Sequence, residues 1–244
     1  MDRVVTAVLS GDLAEAEQLA EAAFALGTDT GQPDAFGIYG PQIVSIRNHQ
    51  GRAEELIPLI EHVIAESPGL PIYHSVLVHA VARSGFTDRA RRLLDEQLGA
   101  GLPMRADASW SEAHSLWAEA AACTGHEAAA ALIRERIAPY SKQIVTAQIA
   151  VRPAFAYSLG KLDHLLGRHE DAHNWFAEAM AIHERLDSPL LIAYTQAAWA
   201  ALLADGPTDE HARTLAEQAL DTATAGGYGY IAADARKVLD QLAD

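Results

Sequence analysis

The run His169-Glu170-Asp171-Ala172-His173 is the part of this 244-residue chain best equipped for chemistry. On a helix its two histidines, four residues apart, fall on one face and can share a zinc ion, with Glu170 placed to act as general base for a bound water. A catalytic zinc takes a third protein ligand, and none stands out, although His164 and His183 are near in sequence. We therefore read the pair as ordinary surface or packing histidines and keep a zinc-dependent hydrolase only as an alternative. His49, His74, His79, His114 and His211 are scattered along the chain and form no sensor cluster. Cys123 is the one cysteine and lies in an apolar stretch, so it is expected to be buried and inert. No Ser-His-Asp or Cys-His arrangement and no G-x-x-x-x-G-K-[ST] phosphate loop is present. The expectation is a non-enzyme without metal or cofactor.

Composition narrows the partners. With 18 Lys and Arg against 33 Asp and Glu the net charge is -15, which repels a phosphate backbone. Arg89, Arg91 and Arg92 are the nearest approach to a basic cluster, and helical geometry would spread them over a solvated face. Direct nucleic-acid binding is not expected. No stretch of about 18 uncharged apolar residues offers a membrane span, and the start lacks an apolar signal core. The reading is a soluble, cytoplasmic protein, with a slight preference for a monomer.

The elements that must position any site are helical. Gly11, Gly51, Gly85, Gly125, Gly167 and Gly206 each separate two alanine-rich, helix-compatible stretches, with gaps of 40, 34, 40, 42 and 39 residues. That period belongs to paired-helix repeats. Pro68 and Pro71 are expected to end one hairpin and start another, and Asp205-Gly206-Pro207-Thr208-Asp209 to turn the chain between two more. Gly27 to Gly37 and Gly99 to Ser109 read as exposed loops.

The clearest unit runs from Pro153 to about Leu186. Small residues at Gly160, Ala172 and Ala179 alternate with Leu159, Trp175 and Phe176, as two closely packed helices require. Trp117 and Trp199 read as core in the same way, whereas Trp110 and Tyr157 are placed near a groove edge. The spacing resembles the tetratricopeptide repeat. Ala172 takes that pattern's small-residue position, a further reason to read the neighbouring histidines as structural. The implied fold is all-α, a right-handed α-solenoid of about six tetratricopeptide-like hairpins with a C-terminal capping helix. It forms one domain over 1–244, with units at 1–27, 35–66, 70–99, 108–139, 152–186 and 189–225 and the cap at 228–243.

Longer phrases, in order GQPDAFGIYGPQ, NHQGRAEELIPLIE, ESPGLPIY, an LP followed by Trp110, IAPYSKQIV and YSLGKLDHLLGRHEDAHNWFAEA with SPLLIAYT, extend the likeness. Their succession resembles the C-terminal helical region of actinobacterial signalling ATPases, including cyclase-linked proteins and LuxR-type transcriptional regulators. The resemblance implies a sensor or scaffold, either isolated from a larger regulator or standing alone. It also implies that the first helix of each pair lines a concave face. Asn48, His49, His79, Arg83, Glu119, Tyr157, Lys161 and His164 are the candidate partner-binding residues, with Ser45, Ser75, Glu112, Ser115 and Gln196 beside them. The expected partner is a peptide, a protein or a polar effector, and a stand-alone small-molecule-binding protein is the alternative.

Overall fold

The recurring glycines act through their backbone. In the computed structural model, Gly11, Gly51, Gly85, Gly125 and Gly167 all have φ between +67 and +84°, the left-handed region open to glycine at little cost. Gly227 joins them at +70°. Gly206 does not adopt that conformation. After each left-handed glycine the next N–H reaches back five residues: Asp12 to Ala7, Arg52 to Arg47, Phe86 to Val81, His126 to Ala121, Arg168 to Asp163 and Tyr228 to Ala223. This is the Schellman closure, which satisfies a carbonyl that the ending helix would otherwise leave unpaired.

The same residue then opens the following helix. The carbonyls of Asp12, Phe86, His126, Arg168 and Tyr228 accept from the N–H of Ala16, Ala90, Ala130, Ala172 and Ala232, respectively. All five alanines are buried. A single residue thus ends one helix and starts its neighbour, so the second helix must fold back against the first, and its first turn is in the seam, where only a small side chain fits. Asp12 adds a side-chain cap, accepting from the Glu15 N–H at 2.8 Å.

Residues 3–67, 69–104, 106–107, 109–146, 150–206 and 210–243 are described; Pro68 and the Pro207-Thr208-Asp209 part of the expected turn lie outside them. Among the described residues the chain forms thirteen α-helices. In order these are α1 (Arg3–Ser10), α2 (Leu13–Asp29), α3 (Ala35–His49), α4 (Ile57–Glu66), α5 (Ile72–Arg83), α6 (Thr87–Gly99), α7 (Trp110–Thr124), α8 (Glu127–Ile137), α9 (Phe155–Leu165), α10 (His169–Arg185), α11 (Pro189–Ala204), α12 (Glu210–Gly226) and α13 (Gly229–Gln241). The fold is mostly helical. Two short strands, β1 (Ile144–Thr146) and β2 (Val151–Ala154), pair just ahead of α9. They depart from the all-helical expectation, and the β-branched Ile144, Val145, Thr146 and Val151 suit them.

The expected loop from Gly27 to Gly37 is shorter than read, because α2 continues to Asp29 and α3 begins at Ala35. In the other expected loop Leu102 is buried, and Arg136 of α8 donates to the Gly101 and Leu102 carbonyls. Arg91 of α6 likewise donates to the Thr124 and Gly125 carbonyls at the end of α7, at 2.7 and 3.0 Å. Both arginines answer acceptors at helix ends, and Arg91, like Arg92, stays on the exposed face expected of it.

The chain divides into two compact units. One comprises residues 1–52, 148–151 and 183–244 and joins both chain ends. Within it α1 packs on α11 and α3 on α13, and the buried Tyr228 donates to the Gly11 carbonyl at 2.8 Å. Leu215, Ala216, Ala200 and Val238 form a core among α11, α12 and α13. The other unit comprises residues 53–147 and 152–182, with α7 packed against α5, α6, α8 and α9. Its seams are tight: a Cβ on Gly160 would stand 2.6 Å from the Phe176 ring.

Gly85 and Gly51 separate two costs. At Gly85 an added Cβ meets open space, whereas at Gly51 it comes to 3.0 Å from the Tyr230 nitrogen and 3.1 Å from the Gly229 carbonyl carbon. Gly85→Ala is expected to cost about 1–2 kcal/mol for left-handed backbone alone. Gly51→Ala should cost measurably more in urea denaturation, because backbone cannot step aside as a side chain can.

Candidate functional site

Three consecutive first helices of one unit carry polar residues at helical spacing. On α5, Ser75, His79 and Arg83 follow at four-residue steps; on α7, Glu112, Ser115, Glu119 and Cys123; on α9, Tyr157, Lys161 and His164. Since α7 lies between α5 and α9, the three rows meet. Ser75, His79, Ser115, Glu119 and Tyr157 are buried, while Arg83, Lys161 and His164 are partly so.

Glu119 is the centre. Lys161 Nζ lies 3.0 Å from its Oε2 and stands 5.6 Å from the centroid of the Tyr157 ring, a cation held between a carboxylate and an aromatic face. Burial by itself would raise the Glu119 carboxyl, but the charges of Lys161 and Arg83, with hydrogen bonds from Lys161 and Tyr157, outweigh it and hold the group below its ordinary value. Glu119 is therefore a carboxylate at neutral pH. Two turns earlier on α7, Glu112 accepts from Arg152 Nε at 3.3 Å. Both acids of α7 are thus met by bases from the β2–α9 segment.

Of the eight sequence candidates, Arg83, Glu119, Tyr157 and Lys161 come together around one carboxylate. His79 is buried one turn before Arg83, and His164 closes the α9 row with its ring 6.0 Å from that of His169. Asn48 and His49 belong to the other unit. There the His49 Nδ1 is 2.9 Å from the Tyr194 hydroxyl, and Asn48 is buried with neither amide atom hydrogen-bonded among the described residues. Cys123 is exposed, not buried as expected, because it follows Glu119 by one turn on the polar face of α7; Arg83 Nη1 is 3.3 Å from its sulfur. Trp110 is half-buried and stacks on His114, whereas Tyr157 is buried.

Two contributors escaped the sequence reading. Arg152 is buried with Glu112, and Asp163 of α9 is fully buried, accepting from Arg134 of α8 and, at 3.0 Å, from Trp175 Nε1 of α10. Asp163 ties three helices together and makes no contribution to the polar rows. His169 and His173 are both exposed, and among the described residues no group of three or more His, Cys, Asp or Glu could hold a metal ion.

No family model matches the chain. No curated protein matches it either. Among solved structures it is similar to BtubC (BKLC) from P. vanneervenii, with 18% identity and a TM-score of 0.42 over 80% of this chain and 90% of that one. A likeness so slight is carried no further.

Removing one partner of a buried ion pair leaves the other desolvated. Lys161→Met is expected to cost about 3 kcal/mol in urea denaturation, and Glu119→Gln on the Lys161→Met background to recover part of it.

Acid should weaken both units through buried imidazoles. His114 and His183 are each pushed down to about 4, chiefly by burial. Their folded values lie below the unfolded value of about 6.5, so the stability they lend is complete above that pH and lost as pH falls toward 4. Each should cost on the order of 2 kcal/mol at pH 5 relative to pH 7.5. Denaturation at the two pH values measures the loss, and imidazole titration by NMR assigns it.

Proposed function

We propose that the chain is a right-handed, tetratricopeptide-like α-solenoid that serves as a non-catalytic sensor or interaction module of a bacterial signalling or transcriptional regulator. Its recognition face is formed by the polar rows of α5, α7 and α9. The observation that carries this reading is the buried Glu119 carboxylate with Lys161, Tyr157 and Arg83 around it. A helix seam needs none of these charges, since well-packed apolar residues in place of a buried ion pair are commonly as stable or more so. Charged groups kept where packing does not require them favour recognition of a polar partner.

The degree of burial bears on the ligand. Glu119 and Tyr157 are 5% and 2% exposed, which suits a small polar effector or the end of a peptide better than an extended segment along an open trough. The module works in the cytoplasm as a monomer and does not contact nucleic acid directly. No helix among the described residues is long and apolar enough to cross a membrane. A stand-alone small-molecule-binding protein would use the same face, whereas a zinc hydrolase would have to act through His169 and His173 alone.

A panel of polar metabolites and short peptides, screened by thermal shift on the full chain, tests the proposal. One chemical class is expected to raise the melting temperature, and Arg83→Gln, which leaves the Glu119–Lys161 pair in place, should weaken its binding at least tenfold by calorimetry. Equal affinity in the variant would remove this face as the site.

A further inference from the structure

Several buried hydroxyls in this chain are satisfied by the turn that precedes them. Ser75 donates to the Ile72 carbonyl at 2.7 Å, Thr124 to Ala120 at 2.7 Å and Thr195 to Leu191 at 3.2 Å. Ser45 of α3 does not follow them. It is 3% exposed and its hydroxyl has no hydrogen-bond partner among the described residues; Asn48, three residues on and equally buried, has none for either amide atom. Buried polar groups left in this way are rare in folded proteins unless water or a ligand meets them. Helical spacing puts His49 beside Ser45, and its Nδ1 is 2.9 Å from the Tyr194 hydroxyl of α11. The Tyr194 ring in turn lies 5.6 Å from that of Tyr230 on α13. The end of α3 itself reaches α13, since a Cβ on Gly51 would stand 3.0 Å from the Tyr230 nitrogen. A polar strip on α3 is thus bordered by aromatic rings, all within one unit.

Charge and shape select the occupant. Ser45, Asn48, Tyr194 and Tyr230 bring no formal charge, and Arg47 of the same helix is matched by Glu17 at 3.7 Å. An anion finds no counter-charge here and is repelled by a chain of net charge -15. A carboxamide presents a donor and an acceptor side by side, so it makes two parallel hydrogen bonds to a group with the complementary pair, which is the edge of another amide. Bordering tyrosine rings suit a flat molecule.

We propose that Ser45 and Asn48, with His49, Tyr194 and Tyr230 beside them, form a binding site for a small, neutral, planar molecule that carries a cyclic amide. Asn48 pairs with the amide edge through Nδ2 and Oδ1, Ser45 takes a further polar atom, and the tyrosines border the ring. Entry requires a local opening of the unit, because these side chains are buried. The site belongs to a different unit from Glu119 and does not rest on the reading of that face.

Titration of the full chain with uracil, thymine and 2-pyridone, followed by NMR at the Asn48 side-chain amide, tests the proposal, with benzoate and toluene as charged and apolar controls. At least one cyclic amide is expected to bind and shift the Asn48 signals, while the controls leave them in place. Asn48→Leu should lower the affinity at least tenfold and Ser45→Ala several-fold. The Asn48 amide has no hydrogen bond to lose, so Asn48→Leu should melt no lower than the parent, which separates lost binding from lost fold. A ligand held here keeps its affinity on Arg83→Gln, whereas one at the Glu119 face loses it. Binding of none of the cyclic amides, equal binding of a control, or unchanged affinity on Asn48→Leu would overturn the proposal. So would a marked fall in the melting temperature of Asn48→Leu, since the amide would then be paired within the fold, and so would a resident water at Asn48 that no probe displaces.

Discussion

Everything in this fold that is repeated depends on one backbone event: a glycine in the left-handed conformation followed by a residue whose N–H ends one helix while its carbonyl starts the next. Because both bonds fall on one residue, the turn has no slack, and the angle between consecutive helices is set by covalent geometry before side chains pack. The alanine five positions after each such glycine follows from this. Ala16, Ala90, Ala130, Ala172 and Ala232 donate the first bond of the returning helix, and that turn is pressed into the seam with its partner. The Gly51 turn has Leu56 at this position and passes through a short 3-10 segment, Ala53–Leu56, before α4 begins, which is the departure expected where a large side chain stands in the small one's place.

A rigid turn frees the first helices to carry residues that packing does not need. Along α5, α7 and α9 the same four-residue step that places alanine and leucine in the seams brings serine, histidine and charged residues onto a common side. The cost of burying Glu119 is offset by cations on two other helices, Lys161 of α9 and Arg83 of α5. His114 nearby shows the opposite solution, with burial keeping the imidazole neutral while Nδ1 lies 2.8 Å from the Trp110 carbonyl.

Turn chemistry was legible because it is local. Five of the six glycines picked out by spacing are left-handed, and the exception, Gly206, stands in the sequence run Asp205-Gly206-Pro207-Thr208-Asp209. Polar residues at helical spacing were legible for the same reason, since a run such as Tyr157, Lys161 and His164 shares one face whatever packs against it. What could not be read was the partner of each group. Lys161 to Glu119 spans 42 positions and Tyr228 to Gly11 spans 217, and no local pattern carries such pairings. Asp163 is a further case: it is buried, with Arg134 and Trp175 converging on it from neighbouring helices. Cys123 reads as buried from its apolar stretch, but composition does not say whether a neighbouring element covers a residue, and the thiol is exposed.

Amide hydrogen exchange followed by NMR tests the double-bonded turn most directly, through the N–H groups of Asp12, Arg52, Phe86, His126, Arg168 and Tyr228. All six sit just past a glycine at a helix end, where fraying would ordinarily leave an amide open to water. If each closes its helix as described, they should exchange at least about tenfold more slowly than a loop amide of matched sequence. Exchange at the unprotected rate in most of them would mean that the helices are joined by loose connections, and the account of how the fold is set would fail.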